Sequence, residues 1–525
     1  MRRPGGLRQV LEDSNVRHPD KTAILYAGES YTYAQLEAAS QALAGGLLAQ
    51  GLRPQENVLL CLGNRIETVC AFWGVLKAGG VVVNVDPQIS AANLEHVLHD
   101  CEASLLITTS TTLASLPSSI AGLPHLRAIV LLDGAPGVRA TLTFEDLLNQ
   151  QAWSPSSVAA LDDDLAMIFY PGEGTEAPRG VMASQRNVLA ALDSLRSNLA
   201  YEVTDNILCS LPLSTDYGLY QMLMAVAAGA TLVLEKSSNA ALPLMDSIER
   251  HQVSVVPFVA NTLTLLHDHA TRRGIDFPGV RLVIDGGAGL RPRQISRMNS
   301  LFPNARISTL YGLPECRCCT CLPAEDLYSK PGSIGIAVTD TEAWLIDDQG
   351  QAIDAPRRPG QLVIRSAAVT PGYWRDPLAT AQRLKPGSQP GDVVLHTGDL
   401  CSRDEDGYLY RHGSLRHLIR SAGTMVNPQD VEQFLLALEG VRDAAVVGIA
   451  DTERGQALWA FVVVDPAQRT ADVGELLEQC RVGLATWQVP VGITFKTILP
   501  STGSGRVDLV LLQQWACNEQ TAVAR

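Results

Sequence analysis

Between residues 50 and 310, short apolar runs alternate with longer stretches whose apolar positions recur at helical spacing. The runs are 58–62, 81–85, 105–108, 128–132, 231–234, 253–259 and 282–284. They are rich in Val, Ile and Leu and show little polar alternation. That pattern predicts strands covered on both faces, as in a mostly parallel sheet flanked by helices. Residues 31–50 read as a helix, with Leu36, Leu43 and Leu47 along one face. Thr32 and Gln35 stand at capping-box spacing at its start. Stretches 108–119 and 151–157 are rich in Ser and Thr and read as surface connections. Beyond residue 335 the strands crowd together, at 342–346, 361–364 and 408–410. After 415 a small α+β unit is expected, with a helix at 429–438 and strands at 444–449 and 458–464.

A chain of 525 residues implies several structural units. Its formal net charge is −14, so the clustered basic face of a nucleic-acid binder is not expected. The basic start Met1–Arg3 meets Glu12 and Asp13 before any signal-like apolar core. No run approaches the roughly 18 apolar residues that span a bilayer. A cytoplasmic protein with no membrane contact is therefore expected. The 11 cysteines are scattered and read as reduced thiols. Four cluster at Cys316, Cys318, Cys319 and Cys321, but C-x-C-C-x-C is not zinc-site spacing, and small buried thiols are the expectation.

Several ordered motifs then carry a resemblance. Tyr170–Gly180 reads YPGEGTEAPRG, Asp285–Gly289 reads DGGAG, and Tyr311–Glu315 reads YGLPE. His396–Leu400 (HTGDL) is followed by Asp406-Gly-Tyr408; residues 419–431 read IRSAGTMVNPQDV, and 500–507 read PSTGSGRV. Lys77-Ala-Gly-Gly80 precedes Asp86-Pro87. Together, from about residue 20 to 510, these segments resemble the adenylate-forming ligase superfamily, which includes acyl-CoA synthetases and peptide-synthetase adenylation domains. The resemblance implies an α/β fold. Residues 1–415 would form a large multi-layered N-terminal AMP-binding domain with a β-rich subdomain. Residues 416–525 would form a small α+β mobile C-terminal lid.

It also implies a reaction. A carboxylate attacks the α-phosphate of ATP, and a thiol of CoA or of a phosphopantetheinyl carrier protein then takes the acyl group from the adenylate. Phosphoryl transfer needs positioning and charge neutralisation above all. Gly174, Thr175, Arg179 and Gly180 would form the phosphate loop, where glycines let backbone N–H groups approach the oxygens. Glu315, with Thr175, would hold Mg2+. Gly286, Gly287, Ala288, Tyr311 and Gly312 would flank AMP, and Asp399 would bind the ribose. Thr215, Asp216, Gly287, Gly312 and Pro314 would border the acid substrate. Asp216 would hold a substrate ammonium or merely cap a helix. Arg506 would be the catalytic cation, Arg416 the hinge and Gly423 part of the thiol tunnel; lid rotation would exchange Arg506 for the Gly423 loop.

This sequence departs from the family pattern in places. Glu173 and Glu176 bring negative charge toward the polyphosphate, where each costs on the order of 1–4 kcal/mol. Arg506 replaces a lysine, an exchange that alters geometry. Ser414 stands where the family carries a ribose-contacting arginine. Three readings stay open: a thioester-forming ligase, an amide-forming ligase, and a repurposed member that binds AMP, an adenylate or a partner without efficient adenylation.

Overall fold

The structure, a computed structural model, describes residues 6–134, 142–149, 160–171, 178–236, 240–287, 289–388, 391–451, 454–464, 472–500 and 507–523. It comprises two compact units. One holds the described residues up to Ala343 together with Ile364–Leu395; the other holds Trp344–Val363 together with the described residues from His396 onward.

The first unit contains two sheets. One has seven strands in the order Leu142–Thr143, Ala128–Leu131, Leu105–Thr108, Asn57–Cys61, Val81–Asn84, Leu165–Phe169, Val181–Ser184. All neighbours pair in parallel except the last two, which form an antiparallel pair. The other has nine strands, with a parallel centre of Thr231–Leu234, Asn206–Cys209, Val255–Phe258, Leu282–Asp285 and Arg306–Tyr311. The expected apolar runs are these central strands, each within two residues of its sequence-based bounds. Helices Tyr33–Ala49, Ile66–Lys77, Gln185–Leu199 and Asp216–Ala228 share one continuous core with strands of both sheets. Burial on both faces explains why those strands carry no polar alternation.

Local chemistry sets the helix ends. The Thr32 hydroxyl accepts from the Gln35 N–H, and the Gln35 side chain accepts from the Thr32 N–H, closing the expected capping box. The stretch expected to be a plain surface connection at 108–119 instead folds into the helix Ser110–Ser115. Thr109 caps it by accepting from the Thr112 N–H, so the Ser/Thr richness that suggested a loop supplies a helix cap. Residues 151–157 lie outside the described residues.

A buried cation ties this unit together. Lys77 is fully buried, with Nζ 2.8 Å from Glu37 and 3.2 Å from Glu12.

In the second unit, strands Val441–Asp451 and Gly455–Val464 form a long antiparallel pair. Their side chains alternate between two cores. Ala444, Val446, Leu458 and Ala460 pack with helices Pro428–Ala437 and Val473–Gly483. Ala445, Val447, Trp459 and Phe461 pack with helix Leu509–Val523. This is the small α+β unit expected from the sequence, with an additional C-terminal helix.

Candidate functional site

Strands Leu282–Asp285 and Arg306–Tyr311 are neighbours in parallel register, with Asp285 beside Thr309. Their carboxyl ends therefore deliver Gly286–Gly287 and Tyr311–Gly312 to the same edge, where parallel α/β sheets bind ligands. Helix Asp216–Ala228 reaches that edge through Tyr217, whose hydroxyl donates to the Ile284 carbonyl at 2.9 Å. The Tyr217 ring lies on Gly286, where a Cβ would come within 2.5 Å of it. Gly312 is equally constrained, because a Cβ there would meet the Arg317 carbonyl. The glycines of both motifs thus serve close packing as well as backbone access.

Thr215 caps the helix, its Oγ1 accepting from the Gly218 N–H at 3.2 Å and donating to the Pro212 carbonyl at 2.8 Å. Asp216 is not the cap. It is the first helical residue, and its Oδ1 accepts from the Tyr217 N–H at 2.9 Å.

Glu315 follows the Tyr311 motif and is 6% exposed. The Tyr373 hydroxyl donates to its Oε1 at 2.5 Å, and Arg383 Nη2 lies 3.2 Å from the same oxygen. Among the described residues no hydrogen bond reaches Oε2. That oxygen fits a hard cation such as Mg2+, which commonly takes one or two protein carboxylates and completes its shell with water and substrate phosphates. No group of three or more His, Cys, Asp or Glu able to hold a metal occurs among the described residues.

The segment Tyr373–Trp374 links Glu315 to Gly180, the end of the YPGEGTEAPRG motif. The Trp374 N–H donates to the Gly180 carbonyl at 2.7 Å. A Cβ at Gly180 would meet Ile168 and Tyr170 at 2.7–2.9 Å. Arg179 is half exposed, 3.7 Å from Asp376. Pro314 lies in the turn between Gly312 and Glu315. Gly174, Thr175, Ala288 and Arg506 lie outside the described residues.

Next to Glu315 the cysteines depart from expectation. Cys316 and Cys319 form a disulfide, while Cys318 and Cys321 are buried free thiols. Arg317, at φ 61°, turns the chain between the bonded pair and brings their Cα atoms to 6.4 Å, within disulfide range.

In the second unit, Asp399 is buried in the hairpin that pairs Asp399–Arg403 with Leu409–Ser414. Ser414 sits directly across from it, and Arg411 Nη2 lies 3.0 Å from its Oδ1. The Asp399 N–H donates to Thr397 Oγ1 at 3.1 Å. Arg416 is exposed, and its N–H donates to Ser414 Oγ at 3.3 Å. Gly423 occupies the two-residue turn between strands Ile419–Ser421 and Thr424–Val426, with Ala422 at φ 50° and Gly423 at φ 80°. Two positive φ angles match the twist of a tight hairpin, which explains a glycine there.

Sequence reasoning missed Asp285, Tyr373, Arg383 and Arg411. Asp285 ends a buried strand, and burial pushes its carboxyl up to about 7 against the opposing pull of the Gly287 N–H. A perturbed acid at a strand's carboxyl end is a candidate site residue. A hairpin reading of the Asp404–Gly407 turn would have brought Arg411 near Asp399. Tyr373 and Arg383 lie 58 and 68 residues from Glu315 and leave no local signal.

Residues 11–374 match the family model described as AMP-binding enzyme, and residues 430–506 match that of the AMP-binding enzyme C-terminal domain. The long-chain-fatty-acid–CoA ligase of Bacillus subtilis (strain 168) is 27% identical, over 95% of this chain and 93% of its own length. The 4-coumarate-CoA ligase 1 of Narcissus pseudonarcissus is 28% identical, over 83% of this chain and 80% of its own. The solved structure of an anthranilate CoA ligase in complex with anthranoyl-AMP has the same fold. Its TM-score is 0.86 at 23% identity, covering 100% of this chain and 99% of that one.

Proposed function

The chain belongs to the AMP-binding enzyme family, and on that premise we propose that it activates a small carboxylic acid with ATP and transfers the acyl group from the adenylate to a thiol. The observation that carries this reading is the shared sheet edge of Gly286–Gly287 and Tyr311–Gly312, with Glu315 close behind in the chain and its Oε2 without a hydrogen bond among the described residues. Gly286, Gly287, Ala288, Tyr311 and Gly312 take the adenine and α-phosphate side of the nucleotide. Gly174, Thr175, Arg179 and Gly180 take the phosphates, Glu315 and Thr175 hold Mg2+, and Asp399 takes the ribose. Thr215, Asp216, Gly287, Gly312 and Pro314 border the acid. Thr215 does the capping, and Asp216 takes the role toward a substrate ammonium.

The functional division we propose falls at 415/416. Arg416 is the hinge of a lid that presents Arg506 for adenylation and the Gly423 turn for thiol transfer. The thiol belongs to CoA or to a carrier protein, and the enzyme works in the cytoplasm. No helix among the described residues is long and apolar enough to cross a membrane.

The test is calorimetry with Mg-ATP and, separately, with AMP, followed by a carboxylic-acid screen for pyrophosphate release. Binding of ATP with acid-dependent pyrophosphate release is the expected result; binding of neither nucleotide would overturn the reading. Glu173, Glu176 and Arg506 favour a second reading, a member that uses an adenylate made elsewhere. Under it, AMP binds and ATP does not, and the triple change Glu173→Gly, Glu176→Gly, Arg506→Lys restores adenylation.

A further inference from the structure

The Glu315 carboxylate shares its buried site with a cation supplied by the chain itself. Arg383 is the last residue of helix Pro377–Arg383, and its guanidinium lies 3.2 Å from Glu315 Oε1. The Arg383 and Glu315 side chains are 12% and 8% exposed, so water screens the pair little. Tyr373 adds a neutral donor to the same oxygen. Negative and positive charge therefore cancel where a divalent cation would dock. A lone Mg2+ approaching Oε2 meets a carboxylate already neutralised, with a guanidinium a few ångströms behind it. A metal carried by a polyphosphate is different. The complex is anionic overall, and its phosphate oxygens give Arg383 a partner as good as the one it leaves. The contact with Glu315 joins one guanidinium nitrogen to one carboxylate oxygen.

We propose that Arg383 is a resident counter-ion of Glu315 that excludes free divalent cations and admits the metal only together with nucleotide. The inference rests on the ligase reading in assigning Glu315 to the metal, and goes beyond it in making Arg383 the residue that sets metal order and selectivity. Arg383 acts through Glu315 and is a positioning residue.

The probe is Mn2+ alone, its binding to the full-length protein read from loss of the free-ion signal in electron paramagnetic resonance, without nucleotide or acid. The wild type is expected to bind Mn2+ weakly, and Glu315→Gln to leave that affinity unchanged. Arg383→Gln keeps a donor but removes the charge, and is expected to tighten Mn2+ binding roughly tenfold or more, since each tenfold needs only about 1.4 kcal/mol of relieved repulsion. The double variant Glu315→Gln, Arg383→Gln should return to weak binding, and Arg383→Lys should stay weak. Equal affinity in the wild type and a folded Arg383→Gln would overturn the proposal. If Arg383→Gln does not fold, a tenfold loss on Glu315→Gln alone would overturn it, because Glu315 would then be binding free metal despite its partner. Neither arm uses ATP, so failure here leaves Mg-ATP calorimetry to judge the ligase reading separately.

Discussion

Asp285 makes the stability of the first unit depend on pH in a direction opposite to that of a salt-bridged acid. Its carboxyl is 3% exposed, and burial lifts its pKa from an ordinary 3.8 to about 7. The folded state therefore holds this proton more tightly than the unfolded chain does. Stability falls where the folded state binds more protons, so the contribution is full below about pH 4 and is lost as pH rises toward 7. Three pKa units correspond to roughly 4 kcal/mol, an upper bound because the site relaxes when the carboxyl ionises. Asp285→Asn keeps the shape and an acceptor for that N–H but never ionises. It should match the wild type near pH 4 and exceed it by about 1–4 kcal/mol at pH 8. The assay is urea unfolding by tryptophan fluorescence at half-unit steps from pH 4 to 8.5, comparing midpoints at equal slope. A variant uniformly less stable across the range would refute the reasoning, because it would mean that Asp285 is ionised and favourably held throughout.

Two further predictions concern the other buried charges. Lys77→Met leaves Glu37 buried without its cation and should cost about 3–5 kcal/mol, measured as a fall in the urea midpoint; the companion Lys77→Met, Glu37→Leu should regain most of it, and a loss below about 1 kcal/mol for the single variant would show that the pair matters little. Asp399→Asn should weaken AMP roughly ten- to hundredfold if the carboxylate binds the ribose, since a hydrogen bond to a charged group is worth about 1.5–3 kcal/mol; an unchanged dissociation constant by calorimetry would remove Asp399 from the nucleotide site.

The sequence alone determined the parts of this protein that local pattern controls. Continuous Val/Ile/Leu runs announced buried parallel strands because a strand covered on both faces has no solvent side on which to alternate. Thr32 and Gln35 announced a helix start because both halves of a capping box lie within one turn. The ordered motifs singled out Gly286, Tyr311, Glu315 and Asp399 as candidates, by the backbone access and charge their residue types offer. Only the tertiary structure decided what those residues face. Arg383 and Tyr373 reach Glu315 through chain separations that no local pattern encodes. Arg411 reaches Asp399 through the register of a hairpin. Thr215, rather than Asp216, caps its helix because a cap needs the extended backbone that only one of the two adopts. Whether Cys316 and Cys319 are thiols or a disulfide turned on one left-handed residue between them, Arg317. Charge and chemistry at a position belong to the sequence; which opposite charge neutralises it is set by packing.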